Sequence, residues 1–191
     1  MMRLMAQPDN SRFPSNLACG PFITRTQARE LPDLARLARV IWRSHYPGII
    51  SVDQIDYMLE RMYSLERLEQ ELSMEGVVYF HIGLAGAMVG FAAVGPTPTP
   101  GEFKLHKLYV HPGHQRKGYG KALLNATSDW VLAAGGDRMI LCVNKRNAIA
   151  LQAYQAYGFR QRAEVSVDIG GGFVMDDFVL EYRLGASGVS R

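Results

Sequence analysis

Seven consecutive residues, Gln115-Arg116-Lys117-Gly118-Tyr119-Gly120-Lys121, combine the two things that recognition of a bulky anion needs. Gly118 and Gly120 carry no Cβ to hold an anion off the main chain and can take positive φ, so backbone N–H groups can converge. Arg116, Lys117 and Lys121 put full positive charge beside those amides, and an arginine can grip a phosphate through two parallel hydrogen bonds. Behind the loop Tyr119, Leu123, Ala126, Trp130 and Ala134 recur at steps of three and four, the period of a helix. The first amides of a helix lack intrahelical acceptors and its dipole favours negative charge there, so the expected chemistry is to cradle a diphosphate. Two common phosphate signatures do not describe it. A P-loop would need Gly and Ser or Thr where Gln115 and Ala122 stand, and the dinucleotide fingerprint would need a third glycine at Leu123.

The elements that must position this loop follow from the periodicities around it. Phe103 to Val110 alternates like a strand and is closed by the turn pair His111-Pro112, so the order is strand, glycine loop, helix. Gly135-Gly136 ends the helix, and Asp137 to Val143 is a near-continuous apolar run, read as a strand buried on both faces in the parallel part of a sheet. Cys142 is then inert core. Asn147 caps the next helix and Gly158 closes it; Arg160 to Ile169 and Phe173 to Tyr182 form an antiparallel hairpin about Gly170-Gly171-Gly172. Upstream, Phe22 to Thr26 is a strand, and Pro32 opens a helix with Leu34, Leu37, Ile41 and Trp42 on one face. Ser51 and Gln54 begin a second helix, Ser64 a third, and Val77 to Leu84 and Ala87 to Val94 are strands joined at Ala85-Gly86.

At this point the chain resembles the GNAT superfamily of N-acetyltransferases. Its acetyl-CoA pyrophosphate loop, Gln/Arg-x-x-Gly-x-Gly/Ala between a strand and a helix, is matched by Gln115 to Gly120, and its Asn-x-x-Ala-x-x-x-Tyr-x-x-x-Gly-Phe segment by Asn147 to Phe159. The resemblance covers about the C-terminal half, and the chain looks somewhat like bacterial polyamine-type acetyltransferases. It implies an α+β (mixed α/β) domain: one largely antiparallel twisted sheet, a central parallel pair splayed at one end, and helices on both faces. The cofactor arm is expected to enter the splay.

It also implies roles. Acetyl-CoA is the co-substrate, and acetyl passes to a primary amine by direct attack without an acyl-enzyme. The diphosphate falls to Gln115, Arg116, Lys117, Gly118, Tyr119, Gly120 and Lys121. The backbone of Leu108 and Val110 holds the pantetheine amides as a further strand would. Tyr154, protonated at neutral pH, donates to the leaving sulfur, and Asn147 serves as cap, as pantetheine contact, or as both. The family often places an acid in the strand before the loop, but here Lys104 occupies the position; His106 is the candidate base, with a suitable pKa. The acceptor pocket is expected from the first two helices and the last hairpin, with Tyr46, Asp53 and Asp176. Asp176 and Asp177 are neighbours on a strand and point to opposite faces, so at most one looks inward, and Asp176 is the expected one.

Composition sets the limits. The chain has 191 residues, 48% hydrophobic and 20% charged, enough for one globular domain with a real core. Residues 1–20 are rich in turn formers and expected as a flexible lead-in, 21–185 as the domain and 186–191 as a tail. Net charge +3 is small and gathers near the loop, so no nucleic-acid partner is required. Cys19 and Cys142 show no metal or disulfide spacing, and no metal is expected. No run reaches the roughly 18 to 20 apolar residues of a membrane span, so the expected location is the cytoplasm. A small-molecule amine is the expected partner, on a monomer or homodimer. The alternatives are a peptide or protein amino group as acceptor, or a non-catalytic CoA-binding regulatory module.

Overall fold

The computed structural model describes residues 20–73 and 76–185; all but Gly20 of the expected lead-in over 1–20, and the tail over 186–191, lie outside the described residues. Seven strands form one sheet in the order β1-β2-β3-β4-β5-β7-β6: β1 Phe22–Arg25, β2 Val78–Leu84, β3 Ala87–Pro96, β4 Glu102–Val110, β5 Arg138–Asn144, β6 Arg160–Gly170 and β7 Phe173–Arg183. All neighbours are antiparallel except β4 and β5, which run parallel and pair only from Glu102↔Arg138 to Lys104↔Ile140. Beyond Lys104 the two strands diverge, and the β5-facing edge of β4 from Leu105 onward has no strand partner among the described residues. That is the expected splay.

The helices take the two faces: α1 Leu31–His45, α2 Val52–Tyr63 and α3 Leu65–Ser73 on one, α4 Tyr119–Ala133 and α5 Ala148–Tyr157 on the other. Each covers a separate core. Leu123, Leu124 and Val131 of α4 pack on Phe80, Ile82, Leu105, Met139 and Leu141, with Phe159 and Leu180 at the α5 end. Leu34, Ile41, Trp42, Ile55, Leu59 and Leu68 pack on Tyr79 and Phe91. Ser51 caps α2 by accepting from the Gln54 amide at 3.1 Å, and Asn147 caps α5 by accepting from the Ala150 amide at 3.2 Å.

One irregularity decides which side chains of β4 meet which face. Ala93 pairs with Lys107 but Val94 pairs with Leu105, so His106 is the extra residue of a β-bulge. After the bulge Leu108 and Val110 turn toward the α4/α5 core, while Lys107 and Tyr109 face α1 to α3. Lys107 is buried there; its ammonium lies 2.5 Å from Glu71 Oε2 and 2.9 Å from the Tyr79 hydroxyl, with Arg67 Nε 3.1 Å from Glu71 Oε1. A buried charge needs such a partner, and this pair ties α3 to the central strand.

The expected burial of β5 on both faces is corrected. Met139, Leu141 and Val143 are buried, but on the opposite face Cys142 is exposed. The two aliphatic letters beside it made the run look two-sided; the helices α1 and α2 stand away from β5 and leave a cleft over that face. No helix among the described residues is long and apolar enough to cross a membrane.

Candidate active site

The glycine loop sits at the N-terminus of α4, beside the open edge of β4. Gly118 is in the left-handed region at φ 82°, and Arg116, at φ 60°, turns the same way. The first helical bond is Ala122 N–H to the Gly118 carbonyl at 2.9 Å, and the amides of Arg116 to Lys121 have no acceptor among the described residues. Arg116, Lys117 and Lys121 are exposed around them, with the Lys117 ammonium 3.4 Å from the Gly113 carbonyl. A Cβ on Gly120 would meet no atom within 4 Å, so the loop keeps an open side. Unclaimed converging amides, left-handed turns and three cations fit the diphosphate end of coenzyme A. The Gln115 side chain does something the sequence did not indicate: its amide donates to the Val110 carbonyl at 3.2 Å, fastening the loop to the end of β4. A pantetheine amide reaching that carbonyl would share or displace this bond.

A cleft of about 1420 Å³ runs from Gly120 and Lys121 through the splay to the space under α1 and α2. Because the strands part here, residues from both faces of the sheet meet in it. Tyr154 of α5 packs its ring edge-on to Phe159 at 5.5 Å, and its hydroxyl has no hydrogen-bond partner among the described residues. Burial pushes its pKa up, so the phenol stays protonated. From the other side come Tyr46 and Tyr109, whose hydroxyls lie 3.0 Å apart; burial raises both well above the ordinary value, and each feels the other.

His45 and Asn147 close the same wall. Asn147 uses its Oδ1 for the α5 cap, so its Nδ2 is the end that donates to His45 Nε2 at 3.0 Å, and the ring proton sits on Nδ1. Burial lowers the His45 pKa, and the imidazole is neutral at physiological pH. Both ends of the Asn147 amide are thus engaged within the protein. His106 and Lys104 are half-buried and line the cleft.

Two of the expected acceptor residues lie elsewhere. Asp53 is exposed in the first turn of α2, and its neighbour Gln54 is the cleft residue. Asp176 is exposed and ion-paired to Lys145 at 2.7 Å, whereas Asp177 is only 3% exposed and lines the cleft. β7 pairs with β5 as Asn144↔Asp177 and Cys142↔Val179, which puts Asp177 on the cleft side with Cys142. Asp177 Oδ1 is buried without a hydrogen-bond partner among the described residues. Burial, then repulsion from Asp176, pushes its pKa up to about 6, against the pull of Lys104 and Lys145. Partial desolvation by the cleft walls also raises the Cys142 thiol, although its side chain is exposed to the cleft.

A carboxyl group that binds its proton more tightly when folded costs stability once it ionises. Between about pH 4 and pH 6 the native state holds the extra proton, so this cost grows as pH rises through that window. Asp177→Asn is therefore expected to melt higher than the parent at pH 8 and level with it at pH 4. Because an unpaired amide remains buried, the gain is about 1 kcal/mol, or a few degrees. Thermal melts at the two pH values check it.

A sheet parted beside an open anion loop, with a protonated phenol at the gap, defines an acyl-transfer scaffold. The chain belongs to the Acetyltransferase (GNAT) family, which it matches over residues 35–159. It is 27% identical over 152 residues to the uncharacterized N-acetyltransferase YuaI of Bacillus subtilis, covering 78% of this chain and 86% of that protein. It is 25% identical over 158 residues to a spermidine N(1)-acetyltransferase of Thermoplasma acidophilum, covering 81% and 94%. Among solved structures, the PaiA N-acetyltransferase of Thermoplasma acidophilum in complex with coenzyme A superimposes with TM-score 0.73 over 86% of this chain and 99% of that one, at 23% identity. The protein is thus an acetyltransferase by family, on the fold expected from its sequence.

Proposed function

We propose that this enzyme uses acetyl-CoA to acetylate a primary amine of a small molecule by direct attack. The observation that carries the reading is the row of unclaimed amides from Arg116 to Lys121 beside a strand edge left unpaired by the splay. The amides and Arg116, Lys117 and Lys121 hold the diphosphate, and the backbone of Leu108 and Val110 holds the arm. When bound, acetyl-CoA supplies a thioester whose carbonyl carbon is open to an amine. Tyr154, on the arm's path at the splay, donates its phenolic proton to the departing sulfur. One relative is named for spermidine and one solved structure of similar fold is in complex with coenzyme A, which supports the same assignment here.

A small acceptor is favoured over a peptide by the way the hairpin is tied down. The Tyr57 hydroxyl donates to the Ile169 carbonyl at 2.7 Å, Arg61 donates to the same oxygen at 3.0 Å, and Gln54 Nε2 to the Val174 carbonyl at 3.1 Å. These bonds hold the β6–β7 tip against α2 and roof the acceptor end of the cleft, where an extended chain would need an exit. Tyr57→Phe removes one of them, worth about 1 kcal/mol. The expected result is a KM for the acceptor raised about fivefold with acetyl-CoA affinity unchanged; equal KM values would show that the clasp plays no part in binding.

The assignment is tested by acetyl-CoA binding in a thermal shift and by free-thiol release with polyamines, aminoglycosides, amino acids and peptides. Binding together with release from a small amine is expected. Binding without release from any amine favours a CoA-binding module, and release from peptides alone overturns the acceptor class.

A further inference from the structure

We propose that Asp177, on the strand next to the splayed pair, receives the acceptor's ammonium group in the cleft and takes its proton. The proposal rests on the acetyltransferase reading and supplies a carboxylate base, which β4 does not bring to the cleft among the described residues. Two carboxylates line the cleft among the described residues, Glu71 and Asp177. Glu71 is consumed by Lys107, Tyr79 and Arg67. Asp177 has a buried Oδ1 with no hydrogen-bond partner among the described residues, in a site where an unpaired acceptor is costly. A buried oxygen of this kind is satisfied by a donor that comes and goes, and a protonated amine is such a donor.

The surroundings suit that ligand. From α1 the phenol of Tyr46 is close enough to feel the charge on Asp177, and on β5 Cys142 feels it too. Lys104 of β4 and Lys145 after β5 attract the carboxylate, but neither makes an ion pair with it among the described residues; Lys145 is spent on Asp176 and Glu164. Met175 of β7 and Val165, Val167 and Ile169 of β6 continue the lining with apolar surface, fit for the body of an aliphatic amine. His45 is a weaker candidate for the same task, because its unprotonated nitrogen already accepts from Asn147.

The ammonium R–NH3+ passes one proton to Asp177 and becomes the nucleophile R–NH2, whose lone pair forms the new C–N bond as the C–S bond breaks. The sulfur leaves with the proton of Tyr154, and a second proton from the nitrogen restores the phenol. Asp177 then releases its proton to solvent, so the sum is amine cation plus acetyl thioester giving amide, free thiol and one proton.

The test compares the full chain with Asp177→Asn and Asp177→Glu. Calorimetric titration of spermidine and of n-butylamine into the coenzyme A complex at pH 7.5 and pH 5 reads binding without turnover. Thiol release from pH 5 to 9 reads catalysis. For the parent, amine binding weakens at pH 5, and kcat/KM rises through a limb near pH 6. For Asp177→Asn, coenzyme A affinity is unchanged, amine affinity falls at least tenfold at pH 7.5, kcat/KM falls at least a hundredfold, and the limb is gone. Asp177→Glu keeps the limb with reduced kcat. Equal amine affinity in parent and Asn variant, no amine binding to either, or a limb that survives in the Asn variant would each overturn the proposal. A parent that binds the amines but releases no thiol removes the acetyltransferase reading instead, and the calorimetry still decides the role of Asp177.

Discussion

Gly120→Glu abolishes measurable acetyl-CoA binding and leaves the fold intact. Gly120 is the second residue of α4, and a Cβ there meets nothing within 4 Å, so the side chain enters open space rather than the core. Within a helix, exchanging glycine for a residue with a Cβ even recovers about 0.5 kcal/mol of backbone entropy. The added carboxylate, however, stands among amides that favour negative charge, and it takes the place and the electrostatic role of a phosphate. Lost hydrogen bonds and like-charge repulsion together amount to about 3 kcal/mol or more, at least a hundredfold in Kd. Calorimetry with coenzyme A reads the loss, and a melting temperature equal to or above that of the parent shows that it is local. Gly118→Ala should behave in the opposite way. At φ 82° the cost of a Cβ is borne by the fold, about 1 kcal/mol. Parental affinity in Gly120→Glu would mean that the diphosphate binds somewhere else.

The contrast between those two glycines also shows where the letters were informative. Spacing alone placed a loop between a strand and a helix, because the apolar period changes from two to 3.6 across residues 103–134 and only a turn can join the two. Local signals of the same kind located the caps at Ser51 and Asn147 and the hairpin about Gly170 to Gly172. What could not be read was any feature set by pairing between distant segments. Adjacent aspartates on β7 must face opposite ways, yet which one faces the cleft depends on the register Asn144↔Asp177, and no local pattern encodes it. Asp176 shares its parity with Phe178 and Leu180, which go to the α4/α5 core, but at its own level that face has run out of core and meets Lys145 and solvent. Nothing local to the sequence marks Lys107 for burial. The bulge at His106 carries it into the interior, where Glu71, thirty-six positions earlier, is waiting. Cys142 looked like core because its neighbours are, and the cleft over β5 exists only once α1 and α2 are in place.

Tyr154→Phe lowers kcat by about a hundredfold to a thousandfold, the range lost with a positioned general acid, while KM for acetyl-CoA changes little. The separation follows from what the hydroxyl does and does not touch. Its ring is held edge-on against Phe159 and packed with the sheet, and phenylalanine keeps all of that. The oxygen has no partner among the described residues, so no resting hydrogen bond is broken, and stability should hold within about 0.5 kcal/mol or rise slightly. Burial holds the proton on the phenol at rest, and only a thiolate forming within reach provides an acceptor strong enough to draw it away. Tyr157 three residues on is the internal comparison. Its hydroxyl donates to Asn125 Oδ1 at 2.9 Å and lies 3.2 Å from Ser128 Oγ, so it spans α5 and α4. Tyr157→Phe should therefore cost about 1 kcal/mol of stability and leave kcat alone. Steady-state kinetics and melts on the two variants give opposite signatures if Tyr154 supplies the proton. Unchanged turnover in Tyr154→Phe would reduce it to a member of the aromatic cluster with Tyr157, Phe159 and Tyr182, and the thiolate would then have to leave unassisted.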